Sequence, residues 1–185
     1  MTWWGWLIIA AVIVLLIIWG ISVQRKLVNL DELCGNAMSQ IGVQQNTRWD
    51  ALGALADLTK QYDEHEYNTL MDVMKQRKPV TSQSSTEDVQ KQENILTEAM
   101  DKFIAVGEAY PDLKATDMYQ NTMNGVKQYE ENVRLARMSY NDTVTRLNRT
   151  IRQFPDSIIA GMLHYQTRTY LETEDSKKDM PSMRR

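Results

Sequence analysis

Apolar residues in this chain form one almost unbroken run near its start and then recur at helical spacing. The run covers residues 3–23 and meets no charged residue before Arg25. As an α-helix it would be about 31 Å long, close to the hydrocarbon thickness of a bilayer. Tryptophans, which favour membrane interfaces, stand at both ends, as Trp3, Trp4, Trp6 and Trp19. We therefore predict a transmembrane anchor over residues 1–24 that contacts the lipid bilayer through residues 3–23.

The flanks of this run predict its fate and its orientation. A cleaved signal peptide would need a cationic segment before the run and an Ala-x-Ala-like site after it, and the sequence shows neither. Arg25 and Lys26 follow the run directly, whereas no Lys or Arg precedes it. Because cytoplasmic flanks carry an excess of Lys and Arg, we expect the N-terminus outside and residues 25–185 in the cytoplasm.

A stripe of apolar residues, spaced by three and four, continues from Leu27 to Lys78 without an intervening proline. That spacing predicts one long amphipathic helix that continues directly from the anchor. Gly35, Gly42 and Gly53 each weaken a helix by about 1 kcal/mol relative to alanine, so we expect the helix to bend.

Two further long helices are predicted after a break at residues 78–86. Ser85 and Asp88 resemble a capping box, which predicts a second helix from there to Tyr110. A third helix should run from about Asp117 until Pro155 stops it. Its apolar stripe, spaced as in a coiled-coil seam, comprises Tyr119, Met123, Val126, Tyr129, Val133, Ala136, Tyr140, Val144, Leu147 and Ile151.

Together these patterns predict an all-α fold. A short closing helix is expected over residues 156–163, and the composition of residues 173–185 is typical of a disordered polar tail. Because three long apolar stripes joined by short connections must bury against one another, we expect an antiparallel long-helix bundle of three to four helices over residues 25–172.

The stretch EAYPDLKA, residues 108–115, groups three ionisable residues around a proline, as an active site would. These residues are Glu108, Asp112 and Lys114. Pro111 disfavours helical conformation at Tyr110, so the second helix should end there, and Asp112 or Thr116 can cap the third. No histidine, second carboxylate pair or Gly-rich loop accompanies them, so we interpret the stretch as a helix corner.

Charge and residue usage argue against several classes of function. A formal net charge of −3 does not suit nucleic acid, which requires a concentrated cationic face. The two histidines, His65 and His164, complete neither Glu-x-x-His pairs nor a zincin motif. Cys34 has no base beside it and lies on the apolar stripe, as a buried small hydrophobe would. We therefore predict no catalytic residue, no cofactor, no metal site and no small-molecule substrate.

Polar residues of the third helix allow two interpretations. Five arginines are separated from one another by three residues or a multiple of three. They are Arg134, Arg137, Arg146, Arg149 and Arg152. They form either a solvated face that pairs with Glu130, Glu131 and Asp142, or a surface for anionic lipid or an acidic partner. Asn141 and Asn148 flank the seam, where we expect their hydrogen bonds to fix helix register.

Three segments of the chain resemble the LemA family of bacterial membrane proteins. They are SQIGVQQNTRWDALGALADLTKQYDEHE at residues 39–66, AVGEAYPDLKA at 105–115 and YNDTVTRLNRTIRQFPDSIIAGM at 140–162. Their order and spacing agree with the family, and the likeness extends over residues 27–183. The resemblance implies a long-helix antiparallel bundle behind one transmembrane segment, without an established catalytic activity.

Within that resemblance, the family's helix corner matches Tyr110, Pro111, Asp112 and Leu113, and its long-helix pattern matches Tyr140, Asn141, Asn148, Phe154 and Pro155. The chain departs from the family at NTRWDALGAL, where the family usually has an arginine pair followed by Leu-Ile-Pro-Asn-Leu. Without that proline, the first helix should bend less, with Gly53 as its softest point.

We expect, on these grounds, a non-enzymatic single-pass scaffold at the bacterial cytoplasmic (inner) membrane. It would self-associate as a homo-oligomer, recruit a membrane-protein partner, or both. The alternative is an accessory regulatory subunit of a membrane enzyme, such as an envelope-stress protease.

Overall fold

The computed structural model describes residues 3–171, and every secondary-structure element assigned in that range is an α-helix. In chain order they are α1 Trp3–Thr59, α2 Glu64–Met74, α3 Thr86–Ala109, α4 Pro111–Lys114, α5 Asp117–Arg152 and α6 Asp156–Met162. The predicted all-α helical bundle is therefore confirmed, including the short closing helix. The predicted polar tail at 173–185 lies outside the described residues.

The described residues divide into two compact units. The first contains residues 3–34 and 141–169, and the second contains residues 35–140 and 170–171. Both α1 and α5 contribute residues to each unit. The domain limits predicted at residues 24 and 172 stay a prediction.

α1 presents two kinds of surface along its length. Most large apolar side chains between Trp3 and Ile21 are exposed, whereas Val23, Leu27 and Cys34 are buried. The predicted continuity of the apolar run with the following amphipathic helix is confirmed, since both belong to α1. Within residues 3–171, α1 alone is long and apolar enough to cross a membrane.

The first amphipathic helix ends earlier than its apolar stripe predicted. α1 stops at Thr59 rather than near Lys78, and α2 begins after Asp63. The Asp63 Oδ1 atom accepts hydrogen bonds from the backbone N–H groups of His65 at 2.8 Å and Glu66 at 3.1 Å. These bonds satisfy donors that a helix start leaves unpaired, so Asp63 is an N-cap.

Two glycines lie where another part of the chain packs closely against a helix, and the bend expected at the glycines of α1 stays a prediction. α1 stays helical at Gly42, and the backbone of Val80 approaches it so closely that a Cβ there would collide with the Val80 carbonyl oxygen. Gly107 on α3 similarly makes room for the Tyr119 ring. Only glycine allows backbone or ring to approach a helix this closely.

The core of the second unit draws side chains from α1 to α5. Phe103 on α3 stacks on Tyr119 of α5 with ring centroids 5.4 Å apart. Leu113, in the one-turn helix α4, is fully buried in the same core. The other members include Trp49, Leu52, Leu55, Ala56, Leu70, Val73, Leu96, Ala99, Met100, Val106 and Val126.

Local capping follows the predicted chemistry. Ser85 and Asp88 form a complete capping box at the start of α3. α3 ends at Ala109 with Tyr110 as its C-cap, as Pro111 predicted. Of the two residues proposed to cap the third helix, Thr116 does so, because its Oγ1 accepts a hydrogen bond from the Tyr119 N–H at 3.3 Å.

The first unit is closed by a reversal of the chain after α6. Backbone N–H groups of His164 and Tyr165 donate to the carbonyls of Gly161 at 3.1 Å and Ala160 at 3.0 Å. His164 takes the left-handed conformation, with φ of 57°, that such a helix end requires. Residues 164–169 then return beside α5, where Asn148 clamps the backbone of Arg168 through two 2.9 Å hydrogen bonds.

Candidate interaction surface and buried charge cluster

A buried charge cluster joins three helices of the second unit. The carboxylate of Glu93 on α3 forms ion pairs with two arginines. Arg48 Nη1 on α1 lies 2.6 Å from Oε1, and Arg137 Nη2 on α5 lies 3.1 Å from Oε2. Gln45 adds a 3.0 Å hydrogen bond to the same carboxylate. The side chains of Arg48 and Arg137 are only 4% and 7% exposed. We call Arg48, Glu93, Arg137 and Gln45 the Glu93 cluster.

The Glu93 cluster is suited to holding helices in register rather than to chemistry. A buried guanidinium is costly unless it is paired, so both arginines must stay opposite Glu93. An arginine side chain carries five N–H donors and no acceptor, so Arg48 and Arg137 offer hydrogen bonds and charge to Glu93 but no general base. Beside the cluster lies an open cavity of about 310 Å³, where Glu130 approaches Arg48 at 3.7 Å.

A second feature is a shallow groove between α1 and α5, in the second unit. It has a volume of about 420 Å³ and is lined by Gln40, Val43, Gln44, Asn132, Leu135, Ala136 and Ser139. We call these seven residues the uncharged groove, because none of them is ionisable. Val43 is 60% exposed and Leu135 is 50% exposed.

The uncharged groove has the chemistry of a protein-binding surface. Exposed Val43 and Leu135 lose contact with water when another surface covers them, which favours association. Amide side chains such as Gln40 and Asn132 carry both donors and acceptors, so they can bond to a surface like their own. The absence of charge from the groove removes the desolvation cost that buried ions would add.

The sequence model of the LemA family matches residues 37–184, which is most of the chain. The chain belongs to the LemA family. The match includes every residue of the Glu93 cluster and of the uncharged groove, whereas the apolar part of α1 precedes it. A comparison with curated proteins finds no match. LemA is not known as an enzyme family, and LemA membership together with the apolar part of α1 fits a membrane-anchored protein.

The LemA-like stretch EAYPDLKA contains α4, the short turn of helix between α3 and α5. Its ionisable residues Glu108, Asp112 and Lys114 are all exposed. Tyr110 instead makes the specific contact, because its hydroxyl donates a 2.7 Å hydrogen bond to the Asp63 carboxylate. This bond lowers the pKa of Asp63, with help from the Glu66 N–H, and raises the pKa of Tyr110.

The arginines of α5 do not share one environment. Arg134 is exposed and binds Glu131 through two hydrogen bonds of 2.9 and 2.6 Å, as the solvated-face interpretation predicts. Grouping Arg137 with Arg134 from the sequence was wrong, because Arg137 lies on the buried side of α5, where it pairs with Glu93. The three remaining arginines, Arg146, Arg149 and Arg152, are exposed.

Other residues singled out in the sequence take structural positions. Asn148 is buried and binds the returning segment at Arg168, whereas a contact that fixes helix register was expected of it. Cys34 is buried as predicted, and burial raises the pKa of its thiol although Arg168 opposes this. His65 and His164 are exposed. Among residues 3–171, no three or more His, Cys, Asp or Glu side chains are grouped to hold a metal.

Sequence reasoning missed the Glu93 cluster. Its signal was a polar residue at an apolar-stripe position, Gln45, with Arg48 three residues later. On the second predicted helix, polar Gln92 and Glu93 likewise fill the long interval between Val89 and Leu96. Such polar interruptions indicate a buried network of hydrogen bonds and ion pairs, but the partner of each residue depends on how the helices pack.

Proposed function

We propose that this LemA protein is a non-enzymatic, single-pass membrane scaffold that self-associates through the uncharged groove. The observation that carries the proposal is the groove itself, since Val43 and Leu135 are exposed on an uncharged surface between two helices. Large apolar side chains gathered on such a surface commonly mark an interaction site.

The membrane part of the proposal is supported by α1. Most of its apolar side chains from Trp3 to Ile21 are exposed, and such a surface is stable in lipid but not in water. The cations Arg25 and Lys26 follow directly. We infer that residues 25–185 lie on the cytoplasmic side of the bacterial inner membrane.

A second copy of this chain is the occupant that the groove fits best. Homo-oligomers most often form two-fold contacts, in which the same patch meets itself. A charged patch would repel its own copy, whereas this groove contains only apolar and neutral polar side chains. Its amides can pair with the same amides across a two-fold axis.

Self-association can be tested on the full chain in lipid nanodiscs of a size that admits several copies, with mass photometry as the measurement. Leu135→Glu places a charge in the groove and should shift oligomers to single copies. Ile104→Glu is the matched control, because Ile104 is also an exposed apolar residue but lies on α3, outside the groove. Wild-type protein that stays single, or equal effects of both variants, would refute self-association through the groove.

Topology requires a separate test. A reporter that functions only in the cytoplasm, fused after Arg185, should be active when the protein is inserted in the inner membrane. A stably inserted but inactive fusion would place the bundle on the other side of the membrane.

A further inference from the structure

α6 exposes large apolar side chains. Ile158 and Met162, one helical turn apart, are 50% and 70% exposed, and Phe154, just before the helix, is 76% exposed. The opposite face of α6 packs against the protein, since Ala160 is fully buried. A seven-residue helix that is apolar on both faces is unusual for a surface in contact with water.

Contacts within the first unit locate α6 along α1. The Cδ1 atom of Ile159 lies 3.7 Å from the position that a Cβ on Gly20 would occupy. At the start of α6, Asp156 forms a 2.9 Å ion pair with Lys26. α6 therefore lies beside α1 over the stretch from Lys26 back to Gly20.

That stretch includes the end of the apolar run. Gly20 precedes Val23, the last residue of the run, by about 4.5 Å at the rise of an α-helix. A segment that touches Gly20 thus reaches the level of the last apolar turn. If the run spans a bilayer, α6 must lie at the boundary between the acyl chains and the head groups.

Exposed cations flank this apolar segment along the chain elements that hold it. Arg25 precedes Lys26, the partner of Asp156, on α1, and Arg149 and Arg152 in the last turn of α5 stand five and two residues before Phe154. Apolar side chains bordered by arginine and lysine are characteristic of segments that lie in the membrane interface next to anionic lipid. The charges therefore favour lipid over a second apolar protein surface.

We propose that residues 154–162 form an interfacial membrane element, which inserts Phe154, Ile158 and Met162 into the cytoplasmic leaflet beside the anchor. This inference rests on the proposed membrane anchor, but it assigns a second lipid contact to a segment far away in sequence. The chain reversal at His164 and the Asn148–Arg168 clamp hold the segment as the tip of a loop.

Site-specific fluorescence in vesicles tests the proposal on the full chain. An environment-sensitive probe is attached to a cysteine introduced as Met162→Cys or, independently, Ile158→Cys, in a Cys34→Ala background. The vesicles contain phosphatidylethanolamine and phosphatidylglycerol with lipids that carry a nitroxide quencher either near the head group or deep in the acyl chains. Two reference positions are labelled in the same way: Leu15→Cys within the apolar run, and Glu98→Cys at an exposed position of α3.

The proposal predicts strong quenching at Met162 and Ile158 by the shallow nitroxide and weaker quenching by the deep one. Leu15 should be quenched mainly by the deep nitroxide and Glu98 by neither. Quenching at Leu15 with none at Met162 and Ile158 would refute the interfacial element and leave the anchor intact. A blue-shifted probe at Met162 without lipid quenching would mean that protein covers the face, which also refutes it. No quenching at Leu15 would refute the anchor and this inference together.

Discussion

Arg48 and Glu93 meet inside the second unit through a 2.6 Å hydrogen bond between Nη1 and Oε1. The two residues come from α1 and α3, and Arg137 of α5 occupies the other oxygen of the same carboxylate. The position of three helices thus depends on one acidic side chain. This makes Glu93 the most informative residue for testing how the bundle is held together.

Replacing Glu93 by glutamine should destabilise the protein strongly. The substitution keeps the side-chain shape but removes the carboxylate that Arg48 and Arg137 share, and Glu130, exposed and 3.7 Å from Arg48, is a weaker substitute. We expect a loss of about 3–5 kcal/mol, as for broken buried ion pairs. Urea unfolding of the detergent-solubilised chain, followed by circular dichroism, measures the change in the free energy of unfolding.

Glu131→Gln is the control for this prediction, because it breaks an ion pair with Arg134 that is exposed to solvent. Exposed pairs contribute little, so its unfolding curve should match that of the wild type. Similar curves for Glu93→Gln and Glu131→Gln would contradict the structural role of the Glu93 cluster.

Two glycines should respond to alanine in opposite directions. At Gly42, the new methyl group overlaps the Val80 carbonyl. The backbone must shift to make room for it, which should lower the free energy of unfolding by about 1–3 kcal/mol. At Gly161, nothing lies within 4 Å of the new Cβ, so alanine should stabilise α6 by up to about 1 kcal/mol. Thermal unfolding of both variants measures the difference, and a Gly42→Ala protein as stable as wild type would contradict the close approach of Val80.

Tyr110 should control the titration of Asp63. The hydrogen bond from Tyr110 is the main cause that lowers the pKa of Asp63 below its usual value of 3.8. Because the folded-state pKa is the lower one, the stabilisation is fully present above pH 3.8 and is lost as pH falls through the folded-state pKa.

Carboxyl-carbon NMR titration of the wild type and Tyr110→Phe checks this prediction. The variant retains the ring but lacks the hydroxyl donor, so the Asp63 pKa should rise towards 3.8. Its stability deficit should appear near neutral pH and shrink in acid. An Asp63 pKa that is equal in both proteins would show that the hydrogen bond is not formed.

The thiol of Cys34 should react slowly in the folded protein. It is buried, and burial raises its pKa, so both access and thiolate content are low. Labelling with a water-soluble maleimide should become fast only when urea unfolds the protein. Rapid labelling under native conditions, at the rate seen in urea, would contradict its buried position.

Much of the fold follows from local sequence patterns. The apolar run, the Ser85–Asp88 capping box, Pro111 and the three-four spacing of α5 each fix an element through interactions between residues close in sequence. The end of α1 was misplaced because apolar spacing continues past Thr59 and outweighed the N-cap pattern of Asp63 and Glu66. Local spacing does not record where the chain must turn to pack.

The candidate surfaces were less predictable, since they depend on contacts between distant helices. Arg137 and Arg134 stand three residues apart on α5, yet one is buried on Glu93 and the other pairs with Glu131 at the surface. The uncharged groove likewise exists only where α1 and α5 lie side by side. Periodicity shows which face of a helix is apolar, but not which neighbour leaves part of that face uncovered.

The central claim, that this LemA protein acts by associating with itself at the membrane, is tested most directly by photo-cross-linking in native membranes. A photoreactive amino acid replaces Leu135 in the groove, and Ile104 serves as the control position. We predict a ladder of self-linked products from Leu135 and none from Ile104. A single product that contains a different protein would contradict self-association and favour the accessory-subunit alternative.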